Sequence, residues 1–137
     1  MIKLLIGKKG SGKTKELISQ VNASAEIAKG NVVFISNNTS STMYDITRKV
    51  RMIDTTDFDI IDYGEFEGFI CGIISGNYDI TDIYVDGLFK IVDGDNLKGL
   101  EKFLARLEKI STKFNISFVL SLSIKVEDAP DYVKALA

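Results

Sequence analysis

The sequence contains no histidine, no tryptophan and only one cysteine, Cys71, among its 137 residues. Zinc sites in proteins are built from several cysteine and histidine ligands, so this composition excludes a zinc cluster. A single cysteine also excludes a disulfide within the chain. The formal net charge is −2 and the estimated pI is 5.2, so no overall positive field favours nucleic-acid binding.

The sequence also lacks long apolar runs, since the longest apolar stretch is shorter than the ~20 residues that a membrane-spanning helix needs. The first residues lack the charged, apolar and small-residue regions of a signal peptide, so we expect a cytoplasmic protein without a membrane partner. Hydrophobic residues make up 45% and charged residues 26% of the chain. This length and composition predict a single compact globular domain over residues 1–137.

A phosphate-binding loop pattern, G-x-x-x-x-G-K-[ST], stands near the start of the chain, directly after the apolar run at residues 1–6. The pattern is typical of proteins that bind a nucleoside triphosphate. Every fixed position is filled. The eight residues are Gly7, Lys8, Lys9, Gly10, Ser11, Gly12, Lys13 and Thr14.

The spacing of this loop has a chemical reason. Glycines let consecutive backbone N–H groups converge on phosphate oxygens, and a helix that begins at the loop adds the positive end of its dipole. We expect Lys13 to bind the β- and γ-phosphates and the Thr14 hydroxyl to ligate the accompanying Mg²⁺. Lys8 and Lys9 either lean over the phosphates or are solvated loop lysines.

A second signal lies some seventy residues later, where the apolar segment at residues 80–86 ends in Asp86. This is the form of a Walker B segment, in which an aspartate at the carboxyl end of a buried strand holds Mg²⁺ directly or through water. Taken with the loop, the pattern predicts that Asp86 and Thr14 share one magnesium ion.

Apolar β-rich runs alternate with helical patterns along the chain. Strands are predicted at residues 1–6, 31–36, 58–63, 80–86 and 115–123. Helices are predicted after the loop, near 42–51, and at 65–76, 98–114 and 131–136. In the helix at 98–114, Leu97 is expected to begin the buried stripe.

This order of elements predicts an α/β fold, a three-layer sandwich around a mostly parallel five-stranded sheet. Ligands of such sheets lie outside the carboxyl ends of the strands. The loop, Asp86, the polar segment at 36–42 and the serines at 121–123 should therefore converge in one crevice.

The helix at 65–76 carries Gly68, Gly72 and Gly76 four residues apart. Each glycine in a helix costs roughly 1 kcal/mol relative to alanine, so something should approach this backbone closely. One interpretation is tight packing of the helix on its own sheet. The other is a contact with a protein partner or a second copy of the chain.

Through residues 7–14 and the strand ending at Asp86, the sequence resembles the P-loop NTPase superfamily, and within it the RecA-like and thymidine-kinase-like branch. It is more closely similar to a group of small, uncharacterised ATP-binding proteins of clostridia and their relatives, through residues 7–14, 49–54 and 76–81. The resemblance implies a P-loop NTPase fold and ATP binding with Mg²⁺. It implies no particular biological task.

Two departures from this pattern bear on activity. RecA-like ATPases usually carry a glutamate beside the Walker B aspartate or on a neighbouring strand, whereas Gly87 follows Asp86 here. Hydrolysis is therefore expected to be slow. Thymidine kinases of this type have that glutamate and a cysteine-bound zinc, and both are missing. No Asn-Lys-x-Asp segment for guanine occurs, which favours adenine.

Lower-ranking candidates remain for the chemistry of the site. Glu65 could act as the missing base, or it could simply complement the dipole of its helix. Ser121 or Ser123 could contact the γ-phosphate, or both could be ordinary strand-end hydroxyls. Three cations could reach a phosphate in this chain or in a neighbouring copy, or they could simply lie at the surface. They are Arg48, Lys49 and Arg51.

Three functions are compatible with these residues. The favoured one is a magnesium-dependent ATP-binding switch or regulatory subunit that hydrolyses slowly, with Lys13 and Asp86 as its catalytic groups. The alternative is a small-molecule, nucleoside-type kinase whose acceptor is held near residues 36–42. The third is a nucleotide-binding module without catalysis.

Overall fold

The computed structural model describes residues 1–93 and 96–137 and has a five-stranded sheet at its centre. The strands are β1 (Ile2–Gly7), β2 (Asn31–Ser36), β3 (Val50–Asp54), β4 (Ile80–Asp86) and β5 (Ser117–Ser123). Their order across the sheet is β1-β5-β4-β2-β3, and all four neighbouring pairs are parallel. The predicted α/β fold with a parallel five-stranded sheet is confirmed.

Helices cover both faces of the sheet. They are α1 (Lys13–Ile27), α2 (Tyr63–Ser75), α3 (Leu88–Ile91), α4 (Leu100–Phe114) and α5 (Asp131–Lys134). Short 3₁₀ turns lie at Thr39–Ser41, Thr55–Asp57 and Val126–Asp128. No helix within the described ranges is long and apolar enough to cross a membrane.

Both faces of the sheet are buried, because side chains along each strand alternate between two apolar cores. In β2, Phe34 points into the smaller core and Ile35 into the larger one. Helix α1 covers the smaller core with the fully buried Leu17. Helices α2 and α4 cover the larger core, where the rings of Phe66 and Phe103 stack 6.0 Å apart. The helices flank the sheet as in a three-layer sandwich.

The strand register brings the carboxyl ends of the strands to one level. Gly7 at the end of β1 pairs with Ser123 at the end of β5. Ser36 at the end of β2 pairs with Asp86 on one side and with Asp54 on the other. The polar residues that follow or end these strands therefore meet at one edge of the sheet.

The prediction for residues 42–63 is wrong. Residues 42–49 form no helix; instead Val50–Asp54 is the third strand and pairs with β2. Residues 58–63 are not a strand, and Phe58 and Ile61 are 55% and 54% exposed. The Asp54 side chain accepts a hydrogen bond from the Thr56 N–H, which turns the chain away from the sheet at that point.

Some predicted boundaries also shift. Helix α4 begins at Leu100 because Gly99, with φ +84°, lies just before it, and Leu97 is 43% exposed and no part of the buried stripe. Strand β5 begins at Ser117 because Asn115 takes the left-handed conformation, with φ 55°, that ends α4. Helix α2 begins two residues earlier than predicted, at Tyr63.

The glycine stripe on α2 does not pack on the sheet, so that interpretation is wrong. Gly68, Gly72 and Gly76 are exposed. A Cβ atom built at Gly68 or Gly72 would meet no atom within 4 Å. The buried face of α2 carries Phe66 and Ile70 instead, on the opposite side of the helix. Contact of the stripe with a partner or a second copy stays a prediction.

Because Gly72 faces open space in a helix interior, Gly72→Ala should stabilise the chain. We expect a gain of about 0.5–1 kcal/mol in the free energy of unfolding, measured by urea denaturation. Gly30→Ala is the matched control that should destabilise, since a Cβ there would lie 2.0 Å from the Asp79 carbonyl oxygen. A loss of stability in Gly72→Ala, together with a lower mass in sedimentation, would contradict the expectation and indicate a second copy on the stripe.

Candidate functional site

The loop between β1 and α1 has the conformation that its glycines allow. Gly10 and Gly12 have φ values of +81° and +89°, a region in which other residues are strained. Gly12 lies immediately before α1, and the first backbone hydrogen bond of that helix runs from the Glu16 N–H to the Gly12 carbonyl at 3.1 Å. The amides of residues 13–15 precede this bond, so they have no acceptor within the helix. They form a positive helix end suited to an anion.

The Lys13 side chain folds back over this loop. Its ammonium donates hydrogen bonds to the Lys8 carbonyl at 2.9 Å and to the Ser11 Oγ at 3.4 Å. Partial burial lowers the pKa of Lys13, and the nearby charge of Lys90 lowers it further, while Asp86 acts in the opposite direction. The two hydrogen bonds hold the ammonium at the opening of the loop.

Three hydrogen bonds join Thr14, Asp86 and β5. The Thr14 Oγ1 donates to the Asp86 Oδ1 at 3.0 Å, across 72 residues of sequence. The buried Ser121 donates from its Oγ to the same carboxylate oxygen at 3.2 Å. The Ser121 Oγ in turn accepts the Gly87 N–H at 2.7 Å. Strand β5 lies between β1 and β4, so Ser121 links the strand before the loop to the strand that carries Asp86.

This arrangement has the chemistry of a partial magnesium site. A hydroxyl and a carboxylate are the oxygen ligands that Mg²⁺ prefers, and Mg²⁺ usually takes one or two carboxylates together with waters and substrate phosphates. In residues 1–93 and 96–137, no three His, Cys, Asp or Glu side chains are grouped to hold a metal ion. An ion at Thr14 and Asp86 would therefore depend on ligands from a phosphate and water.

A cavity of about 810 Å³ opens over these groups. Its charge is unbalanced, since four lysines and two aspartates line it among the residues that the structure describes. Such an excess of cations favours an anionic ligand. The residues that line the cavity are Lys9, Gly10, Gly12, Lys13, Thr14, Lys15, Ile18, Ser19, Ser41, Thr42, Asp45, Asp86, Gly87, Lys90, Ser121 and Ser123.

The wall opposite the loop is formed by Ser41, Thr42 and Asp45, which follow β2. Two anchors hold this wall. The Asp54 carboxylate, at the end of β3, accepts hydrogen bonds from the Thr39 N–H at 3.2 Å and from its hydroxyl at 2.9 Å. On the other side, the Asn22 side chain in α1 donates to the Asp45 carbonyl at 2.8 Å.

Most of the predicted site residues meet in this cavity. Lys13, Thr14, Asp86 and Ser123 line it together with three other loop residues, Lys9, Gly10 and Gly12. Gly7 and Ser11 lie beside it, against the edge of β1, and a Cβ at Gly7 would come within 2.5 Å of the Ser11 Oγ. Lys8 is exposed and contributes its carbonyl oxygen to Lys13.

Glu65 is not brought to the cavity. Its Oε1 accepts the Ile61 N–H at 2.8 Å, while its own N–H donates to the Asp62 Oδ1 at 2.8 Å. Asp62 thus caps the start of α2, and the Glu65 side chain satisfies the N–H of the residue before this cap. The first-turn position of Glu65 thus has a local structural explanation.

Sequence reasoning missed Lys90 and Asp45, which line the cavity. It considered Lys49 as a cation for phosphate, but that ammonium pairs with Glu26 at 3.1 Å on the far end of α1. A signal for Lys90 existed in the sequence. It stands four residues after Asp86, between the apolar Leu88 and Ile91 side chains that fix the short helix around it.

Comparison with known proteins adds no assignment. No protein-family model matches the sequence, and no curated protein matches it at a significant level.

The pKa of Asp54 reports on the hydrogen bonds through which this carboxylate anchors the far wall of the cavity. Hydrogen bonds from Thr56 and then from Thr39 lower the pKa of Asp54 from 3.8 to about 2. Because the pKa is lower in the folded chain, this stabilisation is present above the unfolded pKa and is lost as the pH falls from about 4 to about 2. In a ¹³C NMR titration we expect a midpoint near 2 for Asp54 and a higher midpoint in the Thr56→Ala variant.

The control for this titration is Thr47→Ala, because the Thr47 hydroxyl accepts the Lys49 N–H and is not bonded to Asp54. This variant should keep the wild-type midpoint. An Asp54 midpoint that is the same in wild type and Thr56→Ala would contradict the proposed cause of the shift.

Proposed function

We propose that this chain is a magnesium-dependent ATP-binding protein of the P-loop NTPase type, a slow ATPase that acts as a nucleotide-dependent switch or regulatory subunit. The observation that carries the proposal is the hydrogen bond from the Thr14 Oγ1 to the Asp86 Oδ1 at 3.0 Å, directly below the glycine loop. Two residues chosen from separate sequence patterns thereby form one oxygen ligand pair beside an anion-binding helix end.

Each group has a defined task in binding. The amides at the start of α1 bind phosphate oxygens, and the Lys13 ammonium moves from the Lys8 carbonyl to the β- and γ-phosphates. Thr14 and Asp86 would hold Mg²⁺, which would supply positive charge to neutralise the phosphates. Ser121 keeps the Asp86 carboxylate oriented through its 3.2 Å hydrogen bond.

Slow hydrolysis follows from the carboxylates of the cavity. Asp86 and Asp45 are the acidic residues among those that line it. Asp86 is bonded to Thr14 and Ser121, which leaves it unsuited to activate a water. The Glu65 side chain accepts the Ile61 N–H before α2 and does not line the cavity. A general base must lie within hydrogen-bond reach of the attacking water. Gly87 rather than a glutamate follows Asp86, and within residues 1–93 and 96–137 the other carboxylate of the lining is Asp45, on the wall opposite the loop.

A role as a switch is supported by the outer wall of the cavity. Thr42, which lines the cavity, is followed directly by Met43 and Tyr44, which are 49% and 91% exposed. Exposed apolar side chains of this kind are suited to a protein partner. A nucleotide that contacts Ser41 or Thr42 would alter the surface that such a partner recognises.

The second candidate is a small-molecule kinase of the nucleoside type. It is favoured by the wall of the cavity opposite the loop, because Ser41, Thr42 and Asp45 offer two hydroxyls and a carboxylate to a polar acceptor there. An acceptor hydroxyl there would face the terminal phosphate, with Asp45 available to receive its proton. A binding module without catalysis is the third candidate, which would bind ATP tightly and turn nothing over.

Isothermal titration calorimetry with and without Mg²⁺ tests the binding site. Lys13→Ala should weaken Mg-ATP binding about 10- to 100-fold, the effect of losing hydrogen bonds to a charged group. Asp86→Asn should remove most of the enhancement by Mg²⁺ and leave the metal-free affinity nearly unchanged. Lys109→Ala, an exposed lysine on α4, is the control. Equal affinities for wild type and Lys13→Ala, or no heat with ATP or GTP, would contradict the proposal.

Measuring ADP formation with candidate nucleosides separates the switch from the kinase. The switch predicts a slow rate that no acceptor raises. The kinase predicts a rate that rises with the right acceptor and falls at least tenfold in Asp45→Asn. Asp59→Asn, an exposed carboxylate outside the cavity lining, is the control. Acceptor-dependent product formation would overturn the assignment as a switch.

A further inference from the structure

The short helix α3 presents Lys90 to the cavity. Leu88 and Ile91 on the same helix are 0% and 4% exposed, so they anchor it in the larger core and turn Lys90 outward. The backbone around Lys90 is also held. Its N–H donates to the Gly87 carbonyl at 2.9 Å, and its carbonyl accepts the Asn37 side-chain amide at 3.3 Å. The lysine backbone is thus fixed to the ends of β4 and β2, beside the cavity.

Gly87 makes room for the Lys90 side chain. Gly87 has φ +74°, a conformation that favours glycine. A Cβ built on it would lie 3.2 Å from the Lys90 Cδ and 3.6 Å from its Cγ. The lysine stem therefore crosses the space in which a side chain at position 87 would begin. An Asp or Glu at position 87, directly after Asp86, would therefore displace the Lys90 side chain.

Two ammonium groups consequently face the same space. Lys13 and Lys90 both line the cavity, and the Lys90 stem crosses Gly87, the residue next to Asp86. Like charges held near each other repel. The Asp86 carboxylate, which lines the same cavity, is already hydrogen-bonded to Thr14 and Ser121. An anion between the two lysines would remove this repulsion.

We propose that Lys90 binds the terminal phosphate of the nucleotide on the side opposite to Lys13, an inference that rests on the proposed ATP site. Lys13 reaches the loop from α1, whereas Lys90 comes from the end of β4. The phosphate that lies furthest from the loop is the one between them. Lys90 thereby distinguishes a triphosphate from a diphosphate, and it supplies in cis a cation that offsets charge on the γ-phosphate.

The decisive measurement is the affinity for Mg-ATP and for Mg-ADP in the same set of variants, by isothermal titration calorimetry. Lys90→Ala should weaken ATP binding about tenfold or more and change ADP binding less than about threefold. Lys90→Met keeps the stem over Gly87 and should behave like Lys90→Ala, while Lys90→Arg should keep the preference for ATP. Lys13→Ala should weaken both nucleotides, and Lys109→Ala neither.

The outcomes separate this inference from the proposed function. If the wild type binds no nucleotide, the proposed function fails and this inference fails with it. If the wild type binds ATP and Lys90→Ala weakens ATP and ADP equally, or neither, the inference alone is overturned. It is also overturned if Lys90→Met retains wild-type discrimination, because the stem and not the ammonium would then be responsible. Urea midpoints of the variants, expected to match the wild type, exclude unfolding as the cause.

Discussion

The hydrogen bond between Thr14 and Asp86 is the interaction on which the site depends. It joins the first turn of α1 to the end of β4, two points 72 residues apart. The bond is possible because the parallel sheet brings the ends of its strands to one edge, with Ser121 between them. Without that pairing the glycine loop would be an anion-binding turn with no partner for a metal ion.

The core is built so that this edge is well defined. Both faces of the sheet are buried, and the central strand β2 has four buried apolar residues between Asn31 and Ser36 at its ends, so a slip in register would move a polar end into the core. Asp86 and Ser36 therefore stay level. The far wall of the cavity depends on weaker elements, a 3₁₀ turn and the loop after it, which Asp54 and Asn22 hold by hydrogen bonds. The proposed site thus combines strand ends that are fixed by the sheet with a wall that has fewer restraints.

The sequence predicts well the part of the site that is formed by the glycine loop, Thr14 and Asp86. The loop pattern and the strand ending in Asp86 are local signals, and the convergence of strand ends follows from a parallel α/β fold. The third strand was mispredicted because residues 58–63 have the aromatic and β-branched composition of a strand, whereas pairing with β2 selects Val50–Asp54. Lys90 was missed although it follows Asp86 by four residues, because its direction toward the cavity is set by the burial of Leu88 and Ile91. The exposure of the α2 glycines was missed because it, too, depends on which side chains of the helix are buried.

The central claim is that Thr14 and Asp86 hold a divalent cation together with a triphosphate. Paramagnetic relaxation by Mn²⁺ tests it most directly, because Mn²⁺ replaces Mg²⁺ at oxygen sites and broadens the NMR signals of nearby nuclei. With ATP present, the account predicts that substoichiometric Mn²⁺ broadens the signals of Thr14, Asp86 and Ser121 first. Broadening that is centred elsewhere in the chain, or that is the same with and without ATP, would contradict it.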